Sequence, residues 1–208
     1  MKTNFLFAFA ASIAFALFSF TYSSDVPTNG YKAGDKAIDF KLKNTNDKDV
    51  SLADFTAAKG FIVVFTCNHC PYSKAYEDRI IALDKKYATL GYPVVAINSN
   101  DAVAYPDDSF ENMKVRAKEK GFPFPYLWDE SQQIAKTYGA TRTPHVYILK
   151  KEGKDLKVAY IGAIDDNSQD AATVKEKYVE TAVNELLKGE EVKTNFTKAI
   201  GCTIKWKK

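Results

Sequence analysis

Apolar and polar positions alternate with period two through Ala37-Ile38-Asp39-Phe40-Lys41-Leu42, the pattern of a half-buried strand. A turn-forming run at 44–48 and a short return at Val50-Ser51 complete a β-hairpin ahead of the main sheet, and one helical turn follows at 52–55. The period then changes. Phe61-Ile62-Val63-Val64-Phe65 is continuously apolar, as expected of a central strand covered on both faces. Residues 73–90 carry Ala75, Ile80, Leu83, Tyr87 and Leu90 at helical spacing, and Gly91 stops the run. A second buried strand at 93–98 precedes an amphipathic helix at 109–120, capped by Ser109 and ended by Gly121. A short strand at 125–128 and a short helix at 131–138 follow, the helix capped by Ser131 and stopped by Gly139. Strands at 145–149 and 156–161 flank a turn at 151–155, and residues 174–187 read as a last helix. This order predicts an α/β fold in one domain, a central mixed β-sheet flanked by helices, with the hairpin as an N-terminal extension.

Ahead of this pattern Lys2 precedes an apolar stretch at 5–20 whose polar members are Ser12 and Ser19, and small and polar residues follow. The stretch is shorter than the roughly 20 residues that span a bilayer. It predicts a signal peptide at 1–23, a linker at 24–36 and a domain at 37–208. The mature chain is then exported to the periplasm or cell envelope, or secreted, with no membrane span, into an oxidising compartment where thiols can cycle. At 46% hydrophobic and 26% charged residues over 208 positions the chain has a globular composition. A net charge of +3 gives no electrostatic footprint for nucleic acid. Three cysteines are too few for a disulfide-built scaffold.

The candidate chemistry lies in Phe65-Thr66-Cys67-Asn68-His69-Cys70-Pro71, between the apolar strand and the helix. A Cys-x-x-Cys pair at a strand-to-helix junction reads as a redox-active disulfide. The competing readings are a metal pair and a static disulfide, and a zinc site needs further ligands that only Cys202, His69 and His145 could supply. Cys67, at the first position, is expected to be the attacking thiol and Cys70, one turn in, the resolving one. The helix terminus favours a thiolate at Cys67 by at most about 2 kcal/mol. Protonated His69 would lower its pKa further, the two titrating together. Thr141-Arg142-Thr143-Pro144-His145 opens a later strand. Cys202 is an odd thiol in an extended tail, and its expected roles are inert packing, resolution of an oxidised Cys67, or pairing between chains.

Taken together these segments resemble the thioredoxin-like superfamily, in which a Cys-x-x-Cys at a helix start faces a cis-proline. The hairpin, Ile97-Asn98-Ser99-Asn100-Asp101, Phe124-Pro125-Tyr126-Leu127-Trp128-Asp129, 142–145 and the tail Gly201-Cys202-Thr203-Ile204-Lys205-Trp206 are similar to the peroxiredoxin-like redoxins of the AhpC/TSA branch. The resemblance covers about residues 31–206. It implies that Pro144 sits beside Cys67 and that Thr143 offers backbone groups to a docking substrate. It also implies thiol–disulfide oxidoreductase activity without a cofactor or resident metal, on protein thiols and disulfides, with a thiol electron donor of unidentified kind. Peroxide is the alternative substrate, giving a thiol peroxidase with antioxidant activity in which Thr66 and Arg142 would serve the cysteine. Thr66 directly precedes Cys67 and so departs from the peroxiredoxin Thr-x-x-Cys spacing, which puts exchange ahead of peroxide reduction. A third reading is a copper-binding chaperone using Cys67, Cys70 and His145. Phe61 stands where small thioredoxins keep a buried acid. Glu77 is the alternative proton carrier, and its position reads as a solvated helix face.

Overall fold

The computed structural model describes residues 29–208, so the expected signal peptide and residues 24–28 of the expected linker lie outside it. The apolar run at 61–65 becomes β4 (Gly60–Phe65), a strand buried along its whole length. It runs parallel to β5 (Val94–Asn98) and antiparallel to β8 (His145–Glu152). The other members of the sheet are β1 (Lys36–Ala37), β2 (Lys41–Asn44), β3 (Asp49–Ser51), β6 (Tyr126–Trp128) and β9 (Asp155–Gly162). The eight strands lie in the order β1-β9-β8-β4-β5-β6-β2-β3. Outside this sheet β7 (Arg142–Thr143) pairs with β10 (Cys202–Thr203). The helices are α1 (Pro71–Tyr87), α2 (Phe110–Lys120), α3 (Gln133–Tyr138) and α4 (Tyr178–Leu187).

Alternation along β4 explains why both faces need cover. Ile62 and Val64 pack with Tyr76, Ile80 and Leu83 of α1, Met113 of α2 and Val183 of α4. Phe61, Val63 and Phe65 enter the opposite core, built on α3 and the N-terminal segment. Burying one such side chain contributes roughly 1.5–3 kcal/mol relative to exposure. The helix expected at 73–90 begins two residues earlier, because Pro71 suits a first helical position where no N–H is needed. It ends at Tyr87 in a 3-10 turn, Ala88–Leu90, closed by Gly91 at φ 99°. The helix expected from 174 starts only at Tyr178. The backbone ahead of it is engaged with Asp166, whose carboxylate accepts Lys175 N–H and whose own N–H goes to Glu176 O.

Two departures concern the N-terminus. The single strand expected at 37–42 is two strands in opposite halves of the sheet, β1 at one edge against β9 and β2 between β6 and β3. Asp39 breaks it: its carboxylate accepts the N–H groups of Phe40, Leu52 and Ala53, at 2.6, 2.8 and 3.1 Å. The described part of the expected linker, 29–36, is packed. Tyr31 N–H reaches Tyr138 O and the two rings meet edge-on at 5.0 Å. Gly30 lies so close to Gly139 that a Cβ on it would stand 2.3 Å from the Gly139 Cα.

His145 opens β8 opposite Phe65 and is 7% exposed. Its ring packs against Tyr147 at 4.9 Å, and Nδ1 accepts the Thr141 N–H at 3.4 Å, so this nitrogen carries no proton. No contact joins it to a sulfur, and strand alternation takes it away from the role of ligand or substrate contact. Burial, with Arg142 adding to it, holds its pKa down to about 4. In the unfolded chain His145 titrates near 6.5, so between 6.5 and about 4 the unfolded state binds a proton that the folded state refuses. Stability therefore falls as pH drops through this window, by about 3 kcal/mol in total. Urea denaturation of the wild type and His145→Gln across this range should show a steeper acid loss in the wild type by about that amount. Parallel curves would mean that His145 folds in its charged form.

Candidate active site

β4 delivers Thr66 and Cys67 past its C-terminal end, where Thr66 N–H reaches Ile97 O at 2.8 Å. The chain then turns into α1 with Cys70 as N-cap, at φ −64° and ψ 125°. Opposite this corner β7 ends in the cis peptide Thr143–Pro144. Thr143 touches both sulfurs of the motif. The Cys67 thiol donates to Thr143 Oγ1 at 3.3 Å, and Cys70 Sγ lies 3.3 Å from Thr143 O. Ser73 Oγ is 3.8 Å from Cys67 Sγ. All three cysteines are free thiols; Cys67 is 3% exposed, Cys70 0%, and Cys202 half-buried.

The electrostatics favour a thiolate at Cys70 over one at Cys67, although the helix-start argument favours Cys67 and the Cys70 thiol donates to Thr143 O at 3.3 Å. The neighbouring Cys67 thiol is the largest cause and, with Cys202 and the Ser73 backbone, outweighs burial and lowers the Cys70 pKa to about 4. The same sulfur–sulfur hydrogen bond, then burial and the Asp108 charge, push Cys67 far above the usual thiol range. Burial and the charge on Cys70 raise Cys202 to about 11. Cys70 is the N-cap of α1, without a side-chain capping bond, and Cys67 precedes the helix.

His69 does not pair with the cysteines as expected. Its Nδ1 bonds Asp108 Oδ2, and its ring stacks on Tyr105 at 5.2 Å. Asp108 is fully buried and also accepts Asn68 N–H at 2.7 Å and Asn100 Nδ2 at 2.8 Å. Asn68 in turn accepts the Tyr126 hydroxyl at 2.8 Å. Asp108 thus fixes the loop between the cysteines, a role that sequence reasoning missed. In the sequence Asp107-Asp108-Ser109 reads as the acidic entry to a helix; the nearby Asn98 and Asn100 were the available signal. Among the described residues, Cys67, His69 and Asp108 form the one cluster of metal-donor type, with ligand atoms within 4.8 Å of one another. It contains neither Cys70 nor His145, so the copper set expected from the sequence is not assembled.

Thr66 lines a small cavity behind Cys67 together with Asn68, Glu77 and Tyr126. Glu77 is buried, not solvated: Arg116 meets it with two bonds of 2.7 Å, and Lys120 approaches at 3.3 Å. It lines the same small cavity as Cys67. Arg142 Nη1 bonds Gly201 O at 3.4 Å, which ties it to the tail. The structure thus brings Cys67, Cys70, Thr143, Pro144 and Cys202 together, bonds His69 to Asp108 with a ring nitrogen within 4.8 Å of the Cys67 sulfur, and removes His145. Tyr72 and Tyr105 give the site an exposed aromatic rim. Among the described residues no helix is long and apolar enough to cross a membrane.

The chain is 22% identical over 158 residues to the thiol-disulfide oxidoreductase ResA of Bacillus subtilis, covering 76% of this chain and 82% of that protein. A conserved protein from Geobacillus kaustophilus, solved by crystallography and uncharacterized, is 41% identical with a TM-score of 0.79, over 86% of this chain and 94% of that one. A hypothetical protein from Sinorhizobium meliloti is 36% identical, also at 0.79, over 86% and 97%. The pneumococcal exposed lipoprotein thioredoxin shares the fold at 21% identity and a TM-score of 0.53, over 73% and 99%. The α/β fold is therefore thioredoxin-like. The AhpC/TSA family model matches residues 33–160, more than half of the 208, and the chain belongs to the AhpC/TSA family.

Proposed function

We propose that this protein is an exported thiol–disulfide oxidoreductase that exchanges disulfides with protein substrates through Cys67 and Cys70. One observation carries the reading: both sulfurs converge on Thr143 beside cis-Pro144, the one on its hydroxyl and the other on its carbonyl. The activity named for the ResA relatives supports it at 22–24% identity. Lys2 and the apolar stretch at 5–20 support export.

Cys67 has the residual exposure, so a substrate disulfide meets it first. Cys67 attacks one substrate sulfur, and its proton goes to the leaving substrate thiolate. The substrate S–S bond breaks and the first thiol leaves with a proton. The Cys70 thiolate then attacks Cys67, forming the Cys67–Cys70 disulfide and expelling the second substrate thiolate, which takes a proton from water. The substrate gains two electrons and the pair loses two; a thiol donor reverses the balance. The thiolate held at Cys70 favours the reduced pair, which makes its disulfide the more oxidising. Exchange fits better than peroxide reduction. The hydroxyl on Cys67 belongs to Thr143 and not to Thr66, and the Arg142 guanidinium is spent on the Gly201 carbonyl.

Turnover of a disulfide-bonded model peptide should fall to the uncatalysed rate in both Cys67→Ser and Cys70→Ser. Mass spectrometry should find a trapped mixed disulfide on Cys67 in the second variant; catalysis by Cys67→Ser would end the reading. Reduced wild-type protein should also show one thiolate absorbance per chain at neutral pH, lost on acidification with a midpoint near 4. Cys67→Ala removes the largest cause, so the midpoint should rise towards the ordinary value of about 8.5, at which only about 3% is thiolate at pH 7. A midpoint unmoved by this substitution would place the charge elsewhere.

A further inference from the structure

The pairing of β7 with β10 lays the chain's own tail along the residues that would receive a substrate strand. Cys202 faces Thr143 and Thr203 faces Arg142 in antiparallel register. Gly201 presses on the Thr143–Pro144 backbone: a Cβ there would stand 2.2 Å from Thr143 O and 3.1 Å from Pro144 N. Arg142 holds the Gly201 carbonyl from the other strand. Just beyond, Ile204 N–H bonds Thr141 O at 3.1 Å and the Ile204 side chain is buried in the second core. Lys205 is held on both sides, its N–H by Asn100 Oδ1 at 2.9 Å and its carbonyl by Asp101 N–H at 2.8 Å. An anchored strand therefore carries Cys202 to the residue whose carbonyl lies 3.3 Å from Cys70 Sγ.

We propose that residues 201–203 are an internal substrate strand and that Cys202 is a third redox thiol, exchanging with the Cys67–Cys70 disulfide by attack on Cys70. This rests on the disulfide-exchange reading and adds a partner to it. Cys202 gives up its proton and attacks the Cys70 sulfur; the Cys70–Cys202 bond forms, the Cys67–Cys70 bond breaks, and Cys67 leaves and takes up a proton. No electrons are gained or lost overall. The sequence expectation linked Cys202 to Cys67, whereas the register directs it to Cys70. The oxidised protein then partitions between two disulfides that meet at Thr143. An incoming peptide has to displace the tail to reach the same edge.

The test is oxidation of the reduced full chain by glutathione disulfide, followed by acid quench, alkylation, digestion and mass spectrometry. Wild type should yield Cys70–Cys202 peptides beside Cys67–Cys70 peptides. Cys67→Ser retains two of the three cysteines, and both should disappear into one intramolecular disulfide with no glutathione left attached. Gly201→Ala, which pushes the tail off Thr143, should lower the Cys70–Cys202 yield several-fold while Cys67–Cys70 still forms. Glutathione persisting on Cys70 in Cys67→Ser, or an undiminished cross-link in Gly201→Ala, would overturn the proposal. Absence of Cys67–Cys70 peptides in the wild type would instead sink the exchange reading, with Cys67→Ser still reporting on Cys202.

Discussion

The site depends on the contacts of one residue, Thr143. Its hydroxyl accepts from Cys67, its carbonyl lies against Cys70, and its backbone is the ladder partner of Cys202. Each contact comes from a different part of the chain: the end of β4, the cap of α1 and the tail. Two buried sulfurs of opposite tendency follow from this closeness. In a dry corner a second thiolate is far more costly than the first, so the cluster carries one negative charge and distributes it by counting donors. The proximity of Cys67 and Cys202 favours the charge at Cys70 over Cys67.

Asp108 supplies the complementary constraint. It lies inside the loop network, fixing Asn68 and His69 through their backbone N–H groups and reaching Asn100 through its side chain. Asn100 accepts the Lys205 N–H, so the loop holding the cysteines and the tail holding Cys202 hang on the same carboxylate. A buried carboxylate is tolerated only when its oxygens are satisfied, and here the donors are the segments that it must align. The His69 ring is one of them, which is why it serves alignment before it can serve proton transfer.

Much of the fold was legible because period and punctuation agree with burial. β4 reads as a covered strand, α1 as a helix ended by Gly91, and the β8–β9 hairpin as alternation around a turn. What failed was non-local. Asp39 looks like an ordinary polar position in an alternating strand, yet it caps backbone groups 13 and 14 residues away and splits that strand. Glu77 has the spacing of a solvated face, but Arg116 on α2 covers it. In the site, Cys67, Cys70, Thr143 and Pro144 were legible because local chemistry and the strand-to-helix junction name them. The location of the charge was not, since it depends on Cys202, 132 positions beyond Cys70 (202 − 70).

Exposure and electronics then assign the three sulfurs different tasks. A thiol stabilised as its anion is the better leaving group, so attack on Cys67 by an external thiol expels Cys70 readily. Of the two motif cysteines, Cys67 is also the one with residual exposure. The tail faces the opposite problem. Cys202 meets Cys70, and its attack must expel Cys67, the poorer leaving group. Only proximity can offset that handicap, because a strand already docked on Thr143 has lost the freedom that a free peptide must still give up. The close fit of Gly201 against Thr143 is therefore what lets an intrinsically slower exchange compete with an intrinsically faster one.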